Sequence, residues 1–181
     1  MKKSSKLLIT AALLSGATLA QAAGTQVQGS GQVKFHGYII DAPCSIVNDN
    51  PILVDFGQIS NRVLANGGKS HVEPFQIELA DCDFGESATQ GKVQVTFSYQ
   101  GAATTGSDAS LIGFDAGNAS GAGVAITAAG TVAGNGTALP VQNLQTGPNT
   151  LEFGSYVQGL AGATPTEGEF YANANFTLSY Q

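Results

Sequence analysis

The sequence predicts an all-β chain built as an antiparallel sandwich. Apolar and polar residues alternate with a period of two in most segments beyond residue 31, as they do in half-buried strands. No stretch after the N-terminal residues has an apolar period of 3.6 residues with helix caps. Glycine occurs 24 times, and clusters of Gly, Asn, Ser, Thr and Pro separate the alternating segments. At 181 residues the chain has room for one domain plus a short extension.

The first 22 residues have the features of a secretory signal peptide. A basic start is followed by an apolar run from residue 7 to 20, and the small residues Ala20 and Ala22 flank Gln21. The alternative, a retained membrane anchor, is disfavoured because a spanning helix needs about 20 apolar residues. Cleavage after Ala22 would leave four basic against 13 acidic residues, a net charge of −9.

The charge pattern argues against nucleic acid and anionic membranes as partners. The basic residues beyond the signal are Lys34, Arg62, Lys69 and Lys92, and they are scattered along the chain. Binding to phosphates needs clustered Lys and Arg.

Seven segments are candidate strands, taken in chain order. They cover residues 32–40, 52–56, 72–80, 92–99, 123–127, 151–158 and 170–180. About seven strands in an exported chain of this size favour an antiparallel sandwich. Residues 101–137 are rich in Gly, Ala, Ser and Thr, and we expect short strands and long loops of the same domain there.

The segment 25–36 alternates without interruption at the start of the exported chain. Its even positions are all polar, so an extended chain has one polar face and one face that is apolar or lacks side chains. Glycines weaken the tendency to form a strand. The segment therefore has the character of a strand that needs a partner. Its odd positions are Thr25, Val27, Gly29, Gly31, Val33 and Phe35.

The C-terminal segment 169–181 alternates just as strictly. A long terminal strand with one apolar face can leave an unprotected sheet edge, which proteins usually cover. On periodicity alone, both ends of the chain also fit ordinary terminal strands of a closed sandwich. The core-facing residues of the C-terminal segment are Phe170, Ala172, Ala174, Phe176, Leu178 and Tyr180.

Export also bears on the two cysteines, Cys44 and Cys82. Disulfides persist in oxidising compartments, so one bridge between them is expected. Two free thiols would be unusual after export, and two cysteines without a nearby His pair do not make a zinc site.

Five features of the chain occur together in a fixed order. Four are the short motifs GQVKFHG at 31–37, DAPCSI at 41–46, VDFGQI at 54–59 and FQIELADC at 75–82. The fifth is the C-terminal strand that Gly168 opens and that ends in the penultimate Tyr180. With these features the chain resembles the subunits of chaperone-usher pili, most closely the major rod subunits of P and type 1 pili. The order and spacing of these features together make the resemblance specific.

This resemblance implies an incomplete immunoglobulin-like sandwich that lacks its final strand. In the family a periplasmic chaperone lends a strand to the open groove, and at an outer-membrane usher the extension of the next subunit replaces it. Carried over, residues 23–34 are the donor-strand extension and residues 35–181 the pilin domain. The odd positions from Thr25 to Phe35 would face the neighbour's groove, and Gly29 would pass over a bulge there.

The resemblance also implies partners and a location. The chaperone would recognise the strand of Gly168, Phe170, Ala172, Ala174, Phe176, Leu178 and Tyr180, and its basic residues would anchor the carboxylate of Gln181. The subunit would then be a structural part of an adhesive fimbria, a homopolymer outside the cell. A minor adaptor or tip pilin, or a carbohydrate-binding adhesin of the same class of pilus, is the alternative.

The sequence offers no constellation for catalysis, a metal or a cofactor, and we expect none. His36 and His71 fit solvated surface positions. Asp81 and Asp83 flank Cys82 without a third ligand and fit a turn. No nucleophile motif, zinc motif or phosphate loop occurs, which disfavours a secreted β-sandwich enzyme.

Overall fold

The structure is a computed structural model that describes residues 31–48, 51–85, 90–103 and 107–181. These residues fall into two parts, 31–39 and 40–181, which are described separately. The first part has no regular secondary structure, and every one of its residues is exposed to solvent.

The second part is built mainly from strands. One short helix, α1 (Asn61–Leu64), is followed by a 3-10 turn (Ala65–Gly67), and a second 3-10 turn spans Ser107–Ser110. The strands, in chain order, are β1 (Ser45–Ile46), β2 (Glu73–Cys82), β3 (Gln90–Tyr99), β4 (Ala116–Gly117), β5 (Ala122–Ala128), β6 (Thr131–Val132), β7 (Gln142–Gln145), β8 (Gly147–Gly159), β9 (Phe170–Tyr171) and β10 (Ala174–Tyr180).

The strands form two principal antiparallel sheets and one small ribbon. The five-stranded sheet has the order β1-β2-β8-β5-β6, and the three-stranded sheet has the order β10-β3-β7. Strands β4 and β9 pair with each other.

The two principal sheets pack face to face around one core. Phe153 of the five-stranded sheet meets Phe97 of the three-stranded sheet with ring centroids 5.3 Å apart, and Phe75 stacks on Phe153 at the same distance. Alternate residues of the central strands, such as Ile77, Leu79, Val93 and Val95, are buried. The prediction of an all-β sandwich is confirmed, because period-two alternation places each strand's apolar face on this core.

The disulfide between Cys44 and Cys82 is present, as the sequence predicts. Both residues are buried in the core, and the bridge joins the chain just before β1 to the end of β2. Closing a loop between residues 38 positions apart stabilises the fold by about 4 kcal/mol in the chain-entropy account.

Four predicted strands are confirmed with somewhat different ends: 72–80, 92–99, 123–127 and 151–158 correspond to β2, β3, β5 and β8. The expectation of short strands and long loops in 101–137 also holds, within the described residues of that region. Strands β1 and β7 and the helix α1 were not predicted, because they are too short to show a period.

Two predictions are wrong, and a third is wrong in part. Residues 32–40 and 52–56 are not strands, since alternation alone does not supply a hydrogen-bonding neighbour. The C-terminal strand, predicted as continuous over 170–180, is interrupted between β9 and β10. At the interruption the backbone N–H and the side-chain Nδ2 of Asn173 both donate to Oδ2 of Asp115, at 2.8 and 3.0 Å.

Tyr99 ties the end of β3 to two loops. Its hydroxyl lies 2.9 and 2.8 Å from the carbonyl oxygens of Ser110 and Ala133, which share its one proton. Burial raises the pKa of this tyrosine above its ordinary value, which keeps the hydroxyl a donor.

The aromatic contact between the sheets predicts which residue the core needs most. We expect Phe153→Ala to lower the free energy of unfolding by about 3–5 kcal/mol, because it leaves a cavity beside Phe75 and Phe97. Val141→Ala, at a side chain that is already exposed, should cost less than about 1 kcal/mol. Urea denaturation followed by circular dichroism measures both; equal losses would contradict this account of the core.

Candidate strand-acceptor groove

The three-stranded sheet ends on a long strand that is paired on one side only. Strand β10 pairs with β3 in a register that runs from Ala174 opposite Tyr99 to Tyr180 opposite Val93. Within the described part of the chain, no strand pairs with its other side. Seven residues of backbone therefore form an open sheet edge.

The hydrogen-bonded pair of Lys92 and Gln181, at the end of β10, shows to which side each backbone group of the strand points. The N–H of Gln181 donates to the carbonyl oxygen of Lys92, and the N–H of Lys92 donates to that of Gln181. Residues of an antiparallel strand direct their backbone groups alternately to one side and the other. The odd-numbered residues Asn175, Thr177 and Ser179 thus face β3. The even-numbered residues Ala174, Phe176, Leu178 and Tyr180 direct their N–H and C=O groups to the open edge.

The side chains of the same even-numbered residues face the core. All four are only partly buried and pack against the core cluster, whereas Asn175, Thr177 and Ser179 are exposed. Partial burial raises the pKa of Tyr180 above its ordinary value. The residues whose backbone is unpaired are therefore also the ones whose apolar side chains the fold leaves half covered.

The segment 52–59 supplies further half-covered apolar side chains. Residues 52–56 alternate between partly buried and exposed, and Ile59 is partly buried as well. Ile52, Phe56 and Ile59 pack against the core cluster, and the ring of Phe56 lies 6.1 Å from that of Phe170. This segment has no strand partner among the described residues. We call the space bounded by residues 52–59 and by residues 170–180 the groove.

A cavity of about 630 Å³ lies at one end of the groove. Its apolar lining includes Ile59, Leu64, Phe114 and Phe170, and Phe114 stacks on Phe170 with centroids 4.4 Å apart. Gly168 belongs to the rim. A Cβ on this glycine would lie 2.6 Å from the backbone nitrogen of Ala119, so no larger residue fits there without movement.

The outermost strands at the other edges of the two principal sheets are shorter than β10. The five-stranded sheet ends on β1 and β6, which have two residues each, and the three-stranded sheet ends on β7 with four. Short edge strands limit unwanted pairing, whereas a long apolar edge invites another strand. Of these outermost strands, β10 presents the longest unpaired edge and the one with half-covered apolar side chains.

The predicted donor residues lie in two places. Gly31, Val33 and Phe35 are described, and all three are exposed; Val33 retains 75% and Phe35 92% of its accessible surface. Thr25, Val27 and Gly29 lie outside the described residues. The side chains of Val33 and Phe35 are thus apolar groups exposed to solvent, and no described strand pairs with their segment.

The structure brings most of the predicted C-terminal set together. Phe170, Ala172, Ala174, Phe176, Leu178 and Tyr180 pack against the core cluster. Sequence reasoning missed the wall formed by residues 52–59 and the ring of Phe114. The alternation at 52–56 was the available signal, but it was interpreted as a strand.

The residues considered for other chemistry make local contacts. His36 contacts Tyr38 edge to face, and His71 is paired with Glu73 on the surface. Asp83 accepts the N–H of Gly85 in a turn. In the ranges that the structure describes, no group of His, Cys, Asp or Glu is arranged to hold a metal, and no helix is long and apolar enough to cross a membrane.

Comparisons with known proteins agree on one family. The family described as fimbrial protein matches residues 33–181. The chain is 43% identical to the fimbria A protein of Serratia marcescens over the full length of both. It is 41% identical to the major MR/P fimbria protein of Proteus mirabilis, covering 94% of this chain and 97% of that protein. It is 36% identical to the Pap fimbrial major pilin protein of Escherichia coli, covering 88% and 89%.

Two solved structures share the fold. The P pilus rod subunit PapA is 31% identical, with a TM-score of 0.64 over 77% of this chain and 100% of that chain. A solved structure that addresses the rod uncoiling of a chaperone-usher pilus contains a chain that is 34% identical to this one, with a TM-score of 0.74. The match covers 88% of this chain and 100% of that chain. The sandwich described above is accordingly an incomplete immunoglobulin-like fold.

The backbone geometry of β10 predicts alternating amide exchange in the free subunit. The N–H groups of Thr177 and Ser179, which face β3, should exchange at least tenfold more slowly than those of Phe176 and Leu178 at the open edge. Hydrogen exchange followed by NMR measures these rates. Equal protection along the strand would show that the edge is already covered.

Proposed function

This chain belongs to the fimbrial protein family, and on that basis we propose that it polymerises by inserting its first segment into the groove of a neighbouring copy. It is a structural pilin of the major-subunit type. The proposal concerns how this chain makes the joint: residues 23–34 are the donor extension, and residues 35–181 form the pilin domain that accepts one.

One observation carries the proposal. In β10 the residues with free backbone groups are also those with half-covered apolar side chains: Ala174, Phe176, Leu178 and Tyr180. An added strand would satisfy both deficits at once, since its main chain bonds to the edge and its alternate side chains enter the core.

The donor has the complementary pattern. Thr25, Val27, Gly29, Gly31, Val33 and Phe35 occupy one face of the segment and would enter the groove, with Gly29 placed where the donor passes over a bulge. The even positions, such as Gln32 and Lys34, would stay in solvent. The exposure of Val33 and Phe35 in the single subunit supports this assignment, because exposed apolar side chains favour burial elsewhere.

The joint would be strong. Burying Val27, Val33 and part of Phe35 contributes about 1.5–3 kcal/mol each. Four edge-facing residues of β10 offer about eight main-chain hydrogen bonds, each worth about 0.5–1.5 kcal/mol net. The sum is on the order of 10 to 20 kcal/mol before the cost of ordering the donor. A joint of this strength suits a fibre that must hold together outside the cell without an energy supply.

The open edge also calls for a temporary partner before assembly. A free subunit with an uncovered apolar edge is prone to aggregate. We propose that a periplasmic chaperone covers the groove and binds the carboxylate of Gln181 through basic residues, and that an outer-membrane usher directs the exchange. A net charge of −9 after signal removal suits a basic partner. The assembled fimbria would lie on the cell surface.

A pair of neighbouring substitutions tests the donor face. We expect Val33→Asp to abolish polymerisation, because it would place an unpaired carboxylate in the apolar groove. Gln32→Asp adds the same charge on the opposite face and should polymerise normally. The measurement is gel electrophoresis of material sheared from the cell surface, with and without heating in acid, where a polymer gives a ladder that collapses to one band.

The outcomes separate the claims. A ladder from Val33→Asp would show that this face of the segment does not enter a groove. Loss of the ladder in both variants would mean that the segment has no preferred face. Monomers alone from the unaltered chain would contradict the function as a rod subunit and favour a minor adaptor.

A further inference from the structure

We infer that Asn48 and Pro74 close the second long strand edge of the subunit and thereby confine strand addition to β10. This inference rests on the proposed function, because it identifies what makes that addition specific. It concerns β2, the ten-residue strand near the edge of the five-stranded sheet.

Strand β1 covers only a small part of β2. The pairing joins Ser45 to Ala80 and Ile46 to Leu79, and then β1 ends. The N–H of Val47 donates to the carbonyl oxygen of Glu78 at 3.0 Å, which shows that the even-numbered residues of β2 face this side. Beyond that bond, the edge from Glu78 back to Pro74 has no covering strand in the described chain.

The side chain of Asn48 takes the place of the missing strand residue. Its Nδ2 donates to the carbonyl oxygen of Gln76 at 2.8 Å, and its Oδ1 accepts the N–H of Glu78 at 3.1 Å. A side-chain amide has one donor group and one acceptor, as a backbone peptide has. One asparagine therefore occupies two edge groups that an incoming strand would otherwise use.

Pro74 closes the next position. It is the edge-facing residue that follows Gln76 in this direction, and proline has no N–H to offer. Proline within a sheet is found where a strand borders on open space. An incoming strand would thus find two groups of the β2 edge already bonded and a third missing.

Two other asparagine side chains bond to strand backbone in the same way. Asn135 bonds to both the N–H and the carbonyl oxygen of Tyr99 at the end of β3, at 3.0 and 2.7 Å. Asn149 bonds to the N–H and the carbonyl oxygen of Gln145 in β7, at 2.9 and 2.7 Å. On the open side of β10, no such bond to Phe176, Leu178 or Tyr180 occurs among the described residues. The fold leaves bare the edge that assembly uses.

Opening β2 should create a second pairing site. Two subunits could then join through their β2 edges in antiparallel fashion, whatever occupies their grooves. Contacts of this kind would lie off the axis of the fibre and cause branching or clumping.

The test uses subunits whose grooves are filled. Purified subunit is saturated with a synthetic peptide of residues 23–36, and its mass is measured by analytical ultracentrifugation over a hundredfold range of concentration. The unaltered chain should remain a monomer with one peptide. The double variant Asn48→Ala with Pro74→Thr should still bind one peptide and should dimerise at least tenfold more tightly than the unaltered chain.

Asn143→Ala is the matched control, because Asn143 is an exposed strand asparagine whose side chain makes no hydrogen bond to any described residue. This variant should remain monomeric. The single variant Asn48→Ala gives a second readout that needs no association. Its Glu78 amide should exchange at least tenfold faster than in the unaltered chain.

A peptide-bound double variant that stays monomeric, or unchanged exchange at Glu78, would overturn the closure of β2. An unaltered chain that binds no peptide would instead contradict the proposed function itself.

Discussion

The structure depends on one sheet edge that has no strand partner among the described residues. Strand β10 has its apolar side chains over the core and the backbone of the same residues directed away from any partner in the described chain. Apolar side chains left in water cost free energy, and backbone groups without a strand partner must bond to water instead. The same four residues of β10 have both features until another strand pairs with them.

The rest of the fold is arranged around that edge. The core is stabilised by the packing of the five-stranded sheet, by the aromatic contact between Phe97 and Phe153 and by the Cys44–Cys82 bridge. An added strand can pack against this core. Short edge strands and asparagine side chains close the other edges. The edge of β10 is thus the one at which we propose that a neighbouring copy adds its strand.

Much of the fold could be predicted from the sequence. Period-two alternation shows which face of a strand is buried, and two cysteines in an exported chain indicate a disulfide. The strands β2, β3, β5 and β8, the disulfide and the all-β class all follow from local patterns. Alternation does not report which strand has a neighbour, so residues 32–40 and 52–56 were wrongly expected to be strands. The break between β9 and β10 depends on Asp115, 58 positions from Asn173, and no local pattern encodes such a contact.

The most direct measurement of the central claim is a structure of the assembled fibre at near-atomic resolution. The account predicts that residues 25–35 of one subunit lie in the groove of the next and bond to the backbone of Phe176, Leu178 and Tyr180. A groove filled by the subunit's own first segment, or a β10 edge left unpaired in the fibre, would contradict it.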